Sequence, residues 1–134
     1  MPHFRFSEAA ALLGVSDDTI RRWVRAGQLG SSVDAVGRKV VDGAELAAFA
    51  REQANGPVDP SDVGRSARNR FVGLVTEVTV DKVMAQVELQ CGPHRVVSLM
   101  SAEAVRELGL RPGVLAVAVV KATTVVVETP GGER

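Results

Sequence analysis

The chain has a single cysteine, Cys91, in 134 residues. One thiol excludes an internal disulfide and any metal site built from several cysteines. It stands beside Gly92-Pro93, where a hairpin turn is expected and an inert thiol fits. Long apolar runs are also missing. The longest, Val114 to Val120, falls far short of the roughly 20 residues a membrane helix needs. Met1-Pro2-His3-Phe4-Arg5 shows no signal-peptide pattern, so a cytoplasmic protein with no membrane partner is expected. Net charge is zero, so any affinity for nucleic acid has to come from a local cluster. No nucleophile–base pair, phosphate loop or metal-ligand spacing is present, which argues against an enzyme, a catalytic cofactor or a directly ligated metal. His3 and His94 are isolated in the sequence.

What is present is enough for folded cores: 46% of the residues are apolar, and no low-complexity tract interrupts them. The chain changes character twice. Residues 4–53 carry helical signals, whereas residues 70–128 are rich in valine and alternate like strands. Residues 54–64, with two prolines and no apolar periodicity, read as an exposed linker. The expected organisation is α+β in two domains, 1–53 and 65–129, joined by that linker.

In the first domain Ser7 is placed to cap a helix from Glu8 to Leu13, ended by Gly14. Ser16 caps the next, with Asp17 and Asp18 in its first turn and Gly27 past its end. Two short helices joined at Leu13-Gly14-Val15-Ser16 make a helix-turn-helix. Asp42-Gly43-Ala44-Glu45 has capping-box spacing and opens a third helix with Leu46 and Phe49 inward. Between them, Ser31 to Val41 reads as a β-hairpin with its tip near Asp34 to Gly37. On the second helix Ile20, Trp23 and Val24 share one face, and Asp18, Arg21, Arg22 and Arg25 share the other. A helix anchored by one face and showing arginines on the other suits the major groove of double-stranded DNA. Ser16 and Thr19 are candidate phosphate donors, and Arg38 and Lys39 stand where a wing would meet the backbone.

These segments, "FSEAAALLGVSDDTIRRWVRAGQLG" and "GRKVVDGAELAAFA", resemble the MerR-like and excisionase winged-helix family. The resemblance implies a winged helix-turn-helix that binds DNA. The long dimerising helix found in larger members is absent.

In the second domain Val83, Ala85, Val87 and Leu89 alternate with polar residues, which predicts a strand with one buried face. Further strands are expected at 70–79, 95–100, 114–121 and 124–128, with a short helix at about 102–108 ended by Gly109. Five strands and one helix suggest a small OB-like barrel.

"SARNRFVGLV" at 66–75, "VVSLMSAEAVRELGL" at 96–110 and "RPGVLAVAVVKATTVVVE" at 111–128 resemble the molbindin (Mop, or TOBE) family. The resemblance implies binding of molybdate or tungstate at interfaces between subunits, with hexamers built as a trimer of dimers. It carries over Ser66, Arg68, Asn69 and Lys121 as oxyanion-binding residues, with Ala122 contributing its backbone, and Ser98 and Ser101 to a second kind of site. Two positions depart from the family pattern: Val80-Asp81-Lys82 stands where a glycine turn is common, and Ala104 where serine is frequent. The chemistry of the residues agrees with the implication. A tetrahedral dianion needs positive charge and many N–H or O–H donors, and an arginine fork, a lysine and a serine hydroxyl supply them. Ser101 at a helix start adds free backbone N–H groups. The plain alternative is that Arg68 and Lys121 merely pair with Glu77 or Glu88 across strands. Together the halves predict a transcriptional regulator that senses molybdate or tungstate; the alternative is an oxyanion store.

Overall fold

The computed structural model describes residues 2–54, 59–60 and 69–130. The chain is α+β and divides into two compact units, Met1–Asn55 and Gly56–Arg134. Most of the expected linker lies outside the described residues. Asp59 does not behave as free linker: its carboxylate accepts from Arg70 Nε at 2.7 Å, and the two side chains are only 23% and 12% exposed.

In the first unit β1 (His3–Arg5) leads into α1 (Phe6–Leu13), α2 (Asp17–Arg25), β2 (Ser32–Val33), β3 (Lys39–Asp42) and α3 (Gly43–Gln53). Glu8, rather than Ser7, organises the start of α1. Its carboxylate takes the Arg5 backbone N–H at 2.8 Å and pairs with the Arg5 guanidinium, so the helix begins two residues before the expected start. These bonds hold the Glu8 carboxyl below its ordinary range, the Arg5 backbone N–H first among the causes. Gly14 closes α1 in the left-handed region at φ 71°. Ser16 caps α2 by accepting from Thr19 N, and Asp42 caps α3 by accepting from Glu45 N.

Strand β3 is central in the order β1-β3-β2. Three residues of β1 are too few to show alternation in the sequence, and the strand forms by pairing with Val40–Asp42. The core gathers Ala9, Ala10, Ile20, Leu29, Val41, Leu46 and Phe49, with Trp23 edge-on to Phe49 at 4.8 Å. Fully burying a side chain such as Ile20 stabilises by roughly 1.5–3 kcal/mol.

The second unit is a curled antiparallel sheet in the order β6-β5-β4-β7. Its strands are β4 (Asn69–Val80), β5 (Met84–Cys91), β6 (His94–Ser101) and β7 (Leu115–Val120), with α4 (Ala102–Leu108) between the last two. Ala85, Val87, Leu89 and Cys91 form the buried stripe of β5; Val83 precedes the strand and is exposed. A bulge between Val75 and Glu77 bends β4. Gly73 is required where β4 meets β5: a Cβ there would strike the Gln90 carbonyl and lie 2.6 Å from the Cys91 sulfur. Cys91 is buried, and burial pushes its thiol up.

The fifth strand expected at 124–128 does not form. Ala122–Thr124 makes one 3-10 turn, and Val125, Val126 and Val127 are exposed. This segment pairs with no strand: β4 joins β7 over Asn69–Leu74 and β5 over Leu74–Val80, and β5 lies between β4 and β6. Among the described residues the sheet is therefore open, a half-barrel with two unpaired edges.

Candidate functional site

Helix α2 presents the first candidate surface. Asp18, Arg21, Arg22 and Arg25 are all exposed, as the spacing requires. Their partners differ. Arg21 Nη1 lies 3.2 Å from Asp18 Oδ1. Arg22 and Arg25 make no ion pair among the described residues. The Ser16 and Thr19 hydroxyls lie 3.0 Å apart, and Ser16 Oγ also takes the Thr19 N–H, so both serve the cap before any ligand.

The β2–β3 hairpin carries the other basic pair. Asp34 builds its loop, accepting the N–H groups of Val36 and Arg38 at 3.0 and 2.9 Å and Arg38 Nε at 2.9 Å. The Arg38 backbone N–H is the main reason the Asp34 carboxyl sits below its ordinary range. Arg38 is thus tied to its own loop, while Lys39 makes no ion pair among the described residues. Fold and sequence together bring Lys39 to α2: Phe6, Arg21, Val24, Arg25 and Lys39 line one cavity of about 360 Å³.

The second candidate surface lies where β4 begins and β7 ends. Asn69 pairs with Val120 across the sheet. Its side-chain Nδ2 donates to the Val120 carbonyl at 3.0 Å, a partly buried bond. Asn69 thereby fixes the residue just before Lys121. Past that tie the chain turns tightly: Thr124 N and Oγ1 both donate to the Lys121 carbonyl, at 3.0 and 2.8 Å. Lys121 and Ala122 are exposed at the head of this turn, and Lys121 makes no ion pair among the described residues. Glu88 is taken by Arg95 at 2.9 Å, which removes it as a partner for Lys121. Arg95 also holds the Glu88 carboxyl below its ordinary range. Ser66 and Arg68 lie outside the described residues.

Ser98 and Ser101 have different surroundings. Ser98 points into an apolar cavity of about 260 Å³ on the concave side of the sheet, between β6 and β7. Ser101 is exposed, and its hydroxyl accepts from Ala104 N to cap α4. At the β4–β5 turn no non-glycine residue has positive φ, so Asp81 does not take the left-handed conformation. Its carboxylate accepts the N–H groups of Val83 and Met84 at 2.8 and 2.7 Å. Those donors, Met84 first, depress its carboxyl. The sequence signal for the Asp81 bonds was its turn position; the Asn69 and Asp59 ties carry no local signal at all. Among the described residues no three His, Cys, Asp or Glu side chains group to hold a metal ion. No described helix is long and apolar enough to cross a membrane.

Two helices in a tight turn followed by a third, and a half-barrel beyond them, define a helix-turn-helix protein with an added small β domain. The helix-turn-helix domain family matches residues 4–54 and the TOBE domain family matches residues 65–127. The chain belongs to the TOBE-domain family, to which molbindins belong, and carries an excisionase-type helix-turn-helix ahead of that domain. It is 38% identical over 63 residues to molybdenum-pterin-binding protein 2 of Clostridium pasteurianum, covering 46% of this chain and 93% of that one. A solved molybdate-binding protein from Sporomusa ovata is 30% identical, covering 50% of this chain and all of that one, with a TM-score of 0.49. MopII from Clostridium pasteurianum, solved in an apo form, is 36% identical over 49% of this chain and all of its own, with a TM-score of 0.46. Membership rests on the sequence matches, not on these superpositions. None of these relatives is described as an enzyme.

Proposed function

We propose that this protein is a cytoplasmic DNA-binding transcriptional regulator that responds to molybdate or tungstate. The observation that carries the reading is the joining, in one chain, of an arginine-faced helix-turn-helix to a domain 38% identical to a molybdenum-pterin-binding protein. In this reading residues 1–53 form a winged module of the MerR-like or excisionase kind, with the β2–β3 hairpin as the wing. Residues 65–129 bind the oxyanion, and Asp59, from the stretch between 54 and 64, pairs with Arg70.

The oxyanion site lies where Ser66 and Arg68 of one copy meet Lys121 and Ala122 of another. An exposed Lys121 with no ion pair among the described residues supports it, as does the tight turn that follows. A dianion sheds hydration on entering such a site, and two fixed cations with several N–H donors replace what is lost. Asn69 is a positioning residue there, acting through the Val120 carbonyl. Ser98 and Ser101 belong in this reading to the second kind of site. The open edges β6 and β7, with exposed Val97, Leu99, Leu115 and Val119, support assembly into a homo-oligomer, a hexamer arranged as a trimer of dimers.

Duplex binding measured with and without molybdate, at fixed salt, tests the whole reading. A shift in Kd is the expected outcome; an unchanged Kd with measurable oxyanion binding would leave the storage reading in its place. Storage has one observation in its favour: the Clostridium relative is almost entirely matched by the TOBE segment, so that domain stands without a DNA reader.

A further inference from the structure

The cavity between α2 and β3 divides the cationic face of the DNA reader into two parts with different work. Arg21 and Arg25 lie one turn apart on α2, and Lys39 opens β3. They converge on a cavity floored by Phe6 and Val24, both half-buried against the core of this unit. Among the described residues no acidic side chain lines it, Arg25 and Lys39 are unpaired, and Arg21 is held only by the i,i+3 contact with Asp18, whose side chain is 90% exposed. Such a surface pair is weak and yields readily to a better anion. Arg22 is not part of the cavity. At 100° per residue it lies on the opposite side of Asp18 from Arg21, facing away from Lys39.

We propose that Arg21, Arg25 and Lys39 form a seat for a single backbone phosphodiester of duplex DNA, leaving Arg22 as the base-reading arginine of α2. This rests on the DNA reading above and gives Arg21 a phosphate rather than a base edge. Three donors from two elements converging on one point suit a compact anion; a base edge would take a planar pair of bonds from one arginine. The Phe6 and Val24 floor removes water from one side, which strengthens each cation–phosphate attraction. Because a phosphate bound here touches both a helix and a strand, it also fixes the angle at which α2 enters the groove.

The test uses the full chain and two labelled duplexes, one enriched by the wild type from a randomised pool and one shuffled from it. Binding is followed by anisotropy across a salt series. Arg21→Ala, Arg25→Ala and Lys39→Ala should each weaken binding to both duplexes alike with little change in the salt slope, because two cations still hold the phosphate. The triple variant gives the phosphate up and should reduce the magnitude of the slope of log K against log salt by about one. Arg22→Ala should keep the slope and reduce the preference for the enriched duplex by roughly 5- to 150-fold. A neutral methylphosphonate scanned along the backbone should weaken wild-type binding at one position to which the triple variant has become indifferent. The seat is overturned if Arg21→Ala loses preference for the enriched duplex as Arg22→Ala does, or if the triple variant reduces the slope by about three, one phosphate for each cation. A wild type that binds neither duplex at low salt would instead remove the DNA reading on which the seat depends.

Discussion

The two units solve the problem of a small core in opposite ways. The first closes on itself: three helices and a three-stranded sheet surround Ile20 and Val41, both without exposed surface. The second leaves its work unfinished. Its sheet ends in two unpaired edges, its concave side holds an apolar cavity, and Val125–Val127 lie in the open. A unit that is complete alone can act as a reader on any scaffold. A unit left open has a structural reason to meet another copy, and that meeting is where a shared ligand can be felt.

Assembly gives the largest way to break this contrast. The first unit should unfold at a temperature independent of protein concentration, whereas the melting of the second should rise with it, since association stabilises what it binds. Val119→Lys puts a charge on the β7 edge, where the wild-type side chain is 49% exposed. It is expected to convert the oligomer to smaller species entirely, read by light scattering. A wild type already monomeric at micromolar concentration would refute both the assembly and the shared oxyanion site.

Next in size is the oxyanion site itself. A cation and a monoanion at ~4 Å with an effective dielectric near 20 attract by ~4 kcal/mol before desolvation is counted, and a dianion gains more. Lys121→Ala and Arg68→Ala are therefore each expected to weaken molybdate or tungstate binding by well over tenfold in calorimetry. Asn69→Ala should act less strongly, through about 1 kcal/mol lost with its bond to the Val120 carbonyl. Equal affinities for wild type and Lys121→Ala would show that the site is misplaced. In the first unit the comparable local change is Ser16→Ala, which removes the α2 cap. It is expected to cost about 1 kcal/mol in denaturant unfolding and to leave oligomeric state unchanged.

The contrast also decides what the sequence could reveal. Caps, turns and amphipathic faces are local, so α2, α3, α4 and the helix-turn-helix were legible from Ser16, Asp42, Gly109 and the spacing of Ile20, Trp23 and Val24. The alternation of Ala85, Val87 and Leu89 likewise marked β5. What stayed hidden depends on partners distant in sequence. Strand β1 exists only because β3 accepts it, and Asn69 reaches Val120 across 51 positions. Residues 124–128 carry a strand-like valine run, but strand structure needs a paired neighbour, and the run joins neither open edge, β6 nor β7. The gathering of Lys39 with Arg21 and Arg25 was invisible for the same reason: helix periodicity places residues on a face but says nothing of what packs beside it. The Ser7 cap failed on a finer point, because Glu8 reaches back to Arg5 and starts the helix earlier.

The smallest expected effect concerns acid, and it tests whether the two units share anything beyond a chain. Each builds a hairpin on one aspartate: Asp34 gathers the Val36 and Arg38 N–H groups, and Asp81 gathers those of Val83 and Met84. Both carboxyls are depressed, chiefly by those backbone donors. A carboxyl depressed in the folded state adds stability above its unfolded-state pKa, and that stability is lost as pH falls through the lower, folded value. Stability of both hairpins should therefore drop on the acid side, below the ordinary aspartate range. Asn keeps an accepting oxygen but cannot titrate, so Asp34→Asn and Asp81→Asn should each flatten the acid limb of the stability profile and cost little near neutrality. Both carboxylates are solvent-accessible, so the change should be modest and best seen as amide hydrogen-exchange protection of Arg38 and Met84 against pH. The Arg38 amide should respond only to the first substitution and the Met84 amide only to the second. If either variant loses protection equally at all pH values, the ionised form of that carboxylate is not what holds its turn.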